Sequence, residues 1–196
     1  MICRLRPVTS VQLARMGTDV TWRNWVLDRK FATVGDRERL VRAMRAARAS
    51  DQLSQISAWP VGDPPRDLIP LVDLGKAWHA IHFMLARHAW KTDGGPESRA
   101  ILGGMELEHC EMTYGPARAH DFLQVLAIAR ALNSIEPNEM RARFDRGALA
   151  ANKIYPEGWT NEGFDGAGWI ADQYTALRSL YGRVADAGDS LVLWLG

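Results

Sequence analysis

Two histidines spaced three residues apart, His79 and His82, are the first candidates for chemistry in this sequence. Residues three apart on a helix lie about 60° apart around its axis, so two imidazoles can face one ligand, as in helical metal sites. Such a site needs a third and a fourth ligand, and the sequence marks neither. The alternative is a pair of histidines that border an apolar stripe and hydrogen-bond to the backbone. We therefore expect no metal and no cofactor.

The segment ESRAILGG, residues 97–104, places two glycines close to an arginine. Backbone N–H groups at such a turn can bind an anion. The segment lacks the lysine and spacing of a P-loop, and it lacks the G-x-G-x-x-G pattern of a dinucleotide fold. A tight turn with a close backbone approach also explains the glycines, and we prefer that interpretation. Ser98 in this segment has no evident base that would make it a nucleophile.

Three glutamates, Glu106, Glu108 and Glu111, surround His109 and Cys110. Carboxylates beside an imidazole and a thiol could perform acid–base chemistry or hold a metal. Neighbouring residues on a strand point to opposite faces, however, so the strand predicted here divides the group. We interpret the cluster as a solvated acidic edge.

The sequence Tyr-Gly-Pro-Ala-Arg, residues 114–118, contains the residue types most enriched at binding hot spots. We expect its tyrosine and arginine to converge with the histidine-bearing helix, in a cleft covered by the proline-rich loop at 55–70. A polar group in an aromatic-walled cleft is the usual form of a ligand site. The predicted binding residues are Trp78, His79, His82, Tyr114 and Arg118, and no residue is assigned a catalytic role.

The elements that must position these residues predict an α+β fold. One apolar stripe predicts a helix from Asp73 to about His88. Alternation with a period of two predicts a half-buried strand that ends at Gly115-Pro116. The apolar run Leu191–Leu195 predicts a strand buried on both faces. We expect a small mixed or antiparallel sheet covered by several amphipathic helices.

Length and composition are those of an ordinary globular protein. The 196 residues fit a single domain, 1–196, with a helical and loop-rich N-terminal part at about 17–70. Two cysteines, no signal-peptide pattern and no long apolar run predict a cytoplasmic protein without membrane contact. The net charge is +1, and the basic excess is concentrated in a predicted helix at 36–49. Because its arginines spread over about half of the helix circumference, we do not expect nucleic-acid binding.

Several short segments occur in a fixed order through the second half of the chain. They are Ala77–Phe83, Ser98–Gly104, Tyr114–Arg118, Ile154–Pro156, the RARFD sequence that ends at Asp145, and the closing apolar strand. Together they resemble the YfbM-like family of bacterial proteins, the bacterial domain of unknown function 1877. The resemblance spans roughly residues 72–196, and residues 17–70 match less well. It implies a mixed α+β fold but no activity, because none is assigned to that family.

Two functions from different classes remain open. The first is a non-enzymatic binding protein, such as an immunity protein that inhibits a toxin partner. It is favoured by the lack of a catalytic signature and by the loop-rich N-terminal part. The second is an enzyme or a small-ligand receptor that uses the predicted cleft. A neighbouring toxin gene would favour the first function, and a deep pocket that unites the five side chains would favour the second.

Overall fold

The chain divides into two compact units in the computed structural model, which describes residues 1–31, 33–46, 53, 56, 58–161 and 163–196. The first unit consists of Met1–Thr9 and Pro70–Gly196, and the second consists of Ser10–Ile69. The second unit contains most of the divergent part predicted at 17–70. That the whole chain acts as one domain stays a prediction.

An antiparallel sheet organises the first unit. Its strands within the described residues are β1 (Cys3–Val8), β2 (Val72–Asp73), β3 (Met105–Met112), β4 (Gly115–His120) and β5 (Ser190–Leu195), in the order β2-β1-β5-β4-β3. Strand β5 is central because it pairs with β1 on one side and β4 on the other. Residues 191–194 are all buried, as expected of an apolar run with no polar face. The α+β fold and the buried C-terminal strand are thus confirmed.

The second unit contains three of the chain's helices. They are α1 (Ser10–Thr18), α2 (Val20–Val26) and α3 (Val34–Ala46). The side chain of Asp19 caps α2, because it accepts a hydrogen bond of 2.8 Å from the N–H of Trp22.

Helix α3 is the predicted basic helix, and each of its residues is at least partly exposed. Arg39 pairs with Asp36 at 3.0 Å, and Arg42 pairs with Glu38 at 3.7 Å. Acids one turn away on the same helix therefore offset the charge of two arginines. This arrangement is typical of a solvated helix face. The predicted end of the helix, residues 47–49, lies outside the described residues.

The remaining helices cover one face of the sheet in the first unit. They are α4 (Trp78–Ala86), a short 3-10 helix (Pro96–Arg99), α5 (Phe122–Asn133), α6 (Pro137–Ala142), α7 (Arg146–Ala151) and α8 (Gly166–Ala187). Their apolar sides share a core with sheet residues such as Leu5 and Leu193. Pro137 opens α6, where a missing N–H is tolerated, and Gly188, at φ 72°, ends α8 in a left-handed conformation. Within the described residues, no helix combines the length and the apolarity needed to cross a membrane.

Helix α4 begins at Trp78, so the predicted start at Asp73 was wrong. Asp73 belongs to β2, where it pairs with Arg4 of β1 at 3.2 Å. Its carboxylate also accepts a hydrogen bond of 2.7 Å from the N–H of Gly75. Gly75 has a φ of 54°, a left-handed conformation that starts a turn rather than a helix. The aspartate therefore shapes a strand-to-helix turn instead of capping the helix.

A second correction concerns the strand that was predicted to end at Gly115-Pro116. Gly115 begins a further strand, β4, which pairs with Met112 of β3 across a tight turn. Gly115 has a φ of 100°, which a glycine adopts without strain. Tyr114 consequently lies in the hairpin turn, and Arg118 lies in the middle of β4.

Candidate ligand-binding site

His79 is a fully buried structural histidine at the start of α4. Its Nδ1 accepts a hydrogen bond of 3.0 Å from the N–H of Tyr155, so its Nε2 carries the proton and donates to the carbonyl of Ala89 at 2.9 Å. Its ring stacks on Trp78 at 4.6 Å and contacts Trp90 at 4.4 Å. Burial lowers the pKa of His79, which keeps the ring neutral. With both nitrogens bonded to the backbone, the ring joins α4 to the Ile154-Tyr155-Pro156 segment.

His82 lies one turn further along α4 and is 1% exposed. Burial lowers its pKa to about 4, and a backbone hydrogen bond with Lys91 opposes that shift. Both helical histidines are therefore neutral and packed near the loop that follows α4. In the described part of the chain, no three His, Cys, Asp or Glu side chains come together as a metal-binding group.

Tyr114 and Arg118 belong to the β3–β4 hairpin. Tyr114 is 51% exposed, and Arg118 pairs across the strands with Glu106 at 3.2 Å. Trp78 and the two histidines of α4 make their ring contacts and polar contacts with the 89–91 loop and with Tyr155. These contacts thus form two separate networks. Convergence of the five predicted residues on one cleft stays a prediction. Part of its proposed cover, residues 55 and 57, lies outside the described residues.

The acidic strand β3 is divided between two environments, as the alternation of a strand predicts. Cys110 is buried, whereas its neighbours His109 and Glu111 are exposed. The pairing register shifts between Glu106 and Glu111, and His109 takes a positive φ of 58° inside this irregularity. Such a bulge at a sheet edge protects it against further strand pairing.

A cavity that none of the predicted site residues lines provides the strongest candidate site. Its volume is about 230 Å³. We call it the His120 cavity; its lining residues are Pro96, Arg99, Gly104, His120, Leu123, Gln124, Ala127 and Ile128. The 3-10 helix, the turn before β3, the end of β4 and the first turns of α5 supply these residues. The walls are mostly apolar, and three polar side chains interrupt them, as in a typical small-molecule site.

His120 is the buried polar group of this cavity, and its protonation state follows from its partners. Tyr181 donates its hydroxyl proton to the carbonyl of Ala100 at 2.8 Å. Nδ1 of His120 lies 2.9 Å from the same hydroxyl oxygen, so Nδ1 must be the donor in that contact. The neutral ring therefore has no proton on Nε2. This buried nitrogen has no hydrogen-bond partner among the described residues.

Electrostatics keep His120 in that neutral form. Burial lowers the pKa of His120 to about 4, Arg99 acts in the same direction, and Asp121 opposes both. Burial also raises the pKa of Tyr181, so its hydroxyl stays a donor. At neutral pH, Nε2 of His120 is thus a hydrogen-bond acceptor with a fixed orientation.

The Gly103-Gly104 pair allows the close approach of backbone that shapes the cavity. A Cβ on Gly103 would lie 2.6 Å from the carbonyl oxygen of Arg99. A Cβ on Gly104 would lie 2.8 Å from the carbonyl oxygen of Ala119 and 3.2 Å from the His120 ring. Gly104 also has a φ of 96°. The preferred interpretation of this pair, a tight turn with close packing, thus has direct geometric support.

The sequence contains no local signal for His120. The histidine contacts Tyr181, which is 61 residues away, and Tyr181 in turn bonds Ala100, which is 81 residues away. A single histidine at the end of a strand shows no spacing that marks chemistry. Ser98, which the sequence does mark, is buried and donates its hydroxyl to the carbonyl of Gly95 at 2.7 Å.

Comparisons with known proteins agree with this architecture. A family model described as "Domain of unknown function (DUF1877)" matches residues 1–194. A solved structure described as "The Crystal Structure of a Protein of Unknown Function YfbM from Escherichia coli" is similar, with a TM-score of 0.60 and 19% identity. The match covers 98% of each chain. At this identity the likeness shows the fold alone. No curated protein matches the chain.

Proposed function

This chain belongs to the family described as domain of unknown function 1877, and for it we propose a non-enzymatic binding function in which the His120 cavity holds a small ligand. The observation that carries the proposal is His120, which lines the cavity and whose buried Nε2 atom has no hydrogen-bond partner among the described residues. An acceptor in that position costs free energy in the folded state, because buried polar atoms are nearly always hydrogen-bonded. A bound donor would recover that cost.

Binding fits this histidine better than catalysis does. A general base works best when its pKa lies near the operating pH. The pKa of His120 is lowered to about 4, so Nε2 accepts a hydrogen bond at neutral pH but holds an abstracted proton poorly. The nearby serine, Ser98, is bonded to backbone instead of to this imidazole.

A protein partner, such as a toxin that the chain would inhibit in the cytoplasm, is the second candidate. Its support is a set of exposed apolar residues. Leu123, which lines the cavity, is 71% exposed, and two sequence neighbours of lining residues, Met105 and Phe122, are 67% and 38% exposed. Exposed apolar side chains that adjoin a pocket are typical of interaction sites. Cys3 and Cys110 are both buried and form no disulfide, which supports the cytoplasmic location.

A fragment screen by ligand-observed NMR on the full chain tests the small-ligand proposal. Ala127 is exposed on α5 and lines the cavity, so Ala127→Phe should fill it without disturbing the core. Ala150→Phe, at an exposed position on α7, is the matched control. We expect fragments that bind the wild type and the control but lose binding to Ala127→Phe.

Two results would contradict the proposal. Fragment binding that Ala127→Phe leaves intact would place binding outside the cavity. Chemical conversion of a bound fragment during a long incubation would show that the protein is an enzyme.

A pull-down from native lysate, compared between wild type and Leu123→Asp, tests the protein partner separately.

A further inference from the structure

We infer that the ligand of the His120 cavity is a small organic acid whose apolar body also carries a hydroxyl or N–H donor. The inference rests on the proposed function and deepens it, because it assigns one part of the ligand to each kind of residue that lines the cavity. Three features of the lining support it: an exposed cation, an acceptor with a fixed orientation, and apolar side chains.

Arg99 supplies the cation. It is exposed, it lines the cavity, and its charge reaches His120, where it lowers the pKa of that ring. Its Nε is 3.4 Å from the carbonyl oxygen of Thr92, a long contact that uses only one of the five guanidinium donors. A guanidinium matches a carboxylate with two parallel hydrogen bonds, so an acid is the ligand group that this residue selects.

His120 selects a donor at the other end of the ligand. Because Nδ1 donates to the Tyr181 hydroxyl, the ring presents only a lone pair at Nε2. A carboxylate placed there would meet a lone pair instead of a proton and would be repelled. A hydroxyl or N–H group would instead form the hydrogen bond that Nε2 lacks within the described structure. The two polar groups therefore fix the direction in which a ligand lies.

The apolar walls account for the body of the ligand. Hydrocarbon surface of the same cavity comes from Pro96, Leu123, Ala127 and Ile128. The cavity of about 230 Å³ suits a molecule of the size of a substituted phenyl ring. An inorganic anion would satisfy Arg99 but would leave the apolar walls and Nε2 without contacts.

The test is a set of matched probes titrated into the full chain by calorimetry and NMR. The probe with both groups is 3-(4-hydroxyphenyl)propionate, and shorter hydroxyphenyl acids adjust the distance between them. The probe without a donor is 3-phenylpropionate, and the probe without an acid is 4-propylphenol. We expect the probe with both groups to bind at least about tenfold more tightly than either truncated probe, because each lost hydrogen bond leaves a polar group unpaired.

Variants and a spectroscopic signal assign each end of the ligand. Arg99→Gln should weaken the acids about tenfold and leave 4-propylphenol unchanged. Arg130→Gln, at an exposed position on α5 that does not line the cavity, is the matched control. The ¹⁵N resonance of His120 Nε2 should move upfield with the phenols but not with 3-phenylpropionate. This signal needs no substitution of the buried histidine.

The outcomes separate the ligand class from the proposed function. If fragments bind and Ala127→Phe blocks them, but the acid group or the hydroxyl adds no affinity, the ligand class is wrong and the binding function stands. If none of the acids binds, the ligand class is equally wrong. If the acids bind Ala127→Phe as well as they bind the wild type, they bind elsewhere, and both ideas are overturned.

Discussion

Acid should destabilise this protein because two buried histidines are neutral in the folded state. His82 and His120 are each 1% exposed, and burial lowers the pKa of each from 6.5 to about 4. In the unfolded chain both regain the ordinary value. Between these two values the unfolded state binds more protons than the folded state does. The free energy of unfolding therefore falls as the pH falls through this window.

The magnitude follows from the size of the shifts. One pKa unit corresponds to about 1.4 kcal/mol, so a shift from 6.5 to about 4 amounts to roughly 3 kcal/mol for each histidine. About 2 kcal/mol of that stability should be lost for each histidine by pH 5. Two such losses are large beside the roughly 5–15 kcal/mol that stabilises a domain. We therefore expect unfolding to begin well above the pH at which most carboxylates protonate.

Urea unfolding followed by tryptophan fluorescence near pH 7, 6 and 5 measures this effect. We compare wild type with His82→Gln, His120→Gln and the exposed control His109→Gln. Each buried substitution should reduce stability near pH 7, because it breaks packing and hydrogen bonds. It should also reduce the loss of unfolding free energy between pH 7 and pH 5 by about 2 kcal/mol, because one titrating group is gone. Carboxylates contribute equally to all variants and cancel in the comparison.

The reasoning is refuted in either of two ways. One is an NMR titration of the imidazole Cε1 protons that gives pKa values near 6.5 for His82 and His120 in the folded protein. The other is a loss of stability with falling pH that is as steep in the two buried variants as in His109→Gln.

Three further predictions concern stability and binding. Trp194→Ala should cost about 3–5 kcal/mol and give mostly insoluble protein, because the ring is 2% exposed in the central strand; a soluble variant with the wild-type melting temperature would contradict this. Arg118→Ala should change stability by less than about 1 kcal/mol, because it removes only a part-exposed ion pair. Thermal melting tests this. Unchanged ligand binding in the same variant would exclude Arg118 from the binding site that was predicted from the sequence. Tyr181→Phe should cost about 1–3 kcal/mol and let the His120 proton move to Nε2, which ¹⁵N NMR detects.

Local patterns in the sequence were sufficient for the elements whose cause is local. The apolar run Leu191–Leu195 is a buried strand, Pro137 opens a helix, and Gly188 ends one. Each of these follows from the conformational preference of a few neighbouring residues. Two predicted boundaries were wrong where pairing with another strand decided the conformation. Asp73 is drawn into β2 by β1, about 70 residues earlier, and Gly115 starts β4 because it pairs back onto β3.

Only the tertiary structure decided which polar residues are available for function. His79 has helical spacing that suggests a ligand, yet both of its nitrogens are bonded to backbone brought close by folding. His120 carries no pattern in the sequence, yet it lines a cavity, and its contact with Tyr181 leaves its other ring nitrogen as an acceptor without a partner among the described residues. The sequence by itself determined the residue types and the periodic faces. Whether the ring of His120 has all its hydrogen bonds depends on partners that are 61 to 81 residues apart in the sequence, and neighbouring residues in the sequence carry no information about such partners.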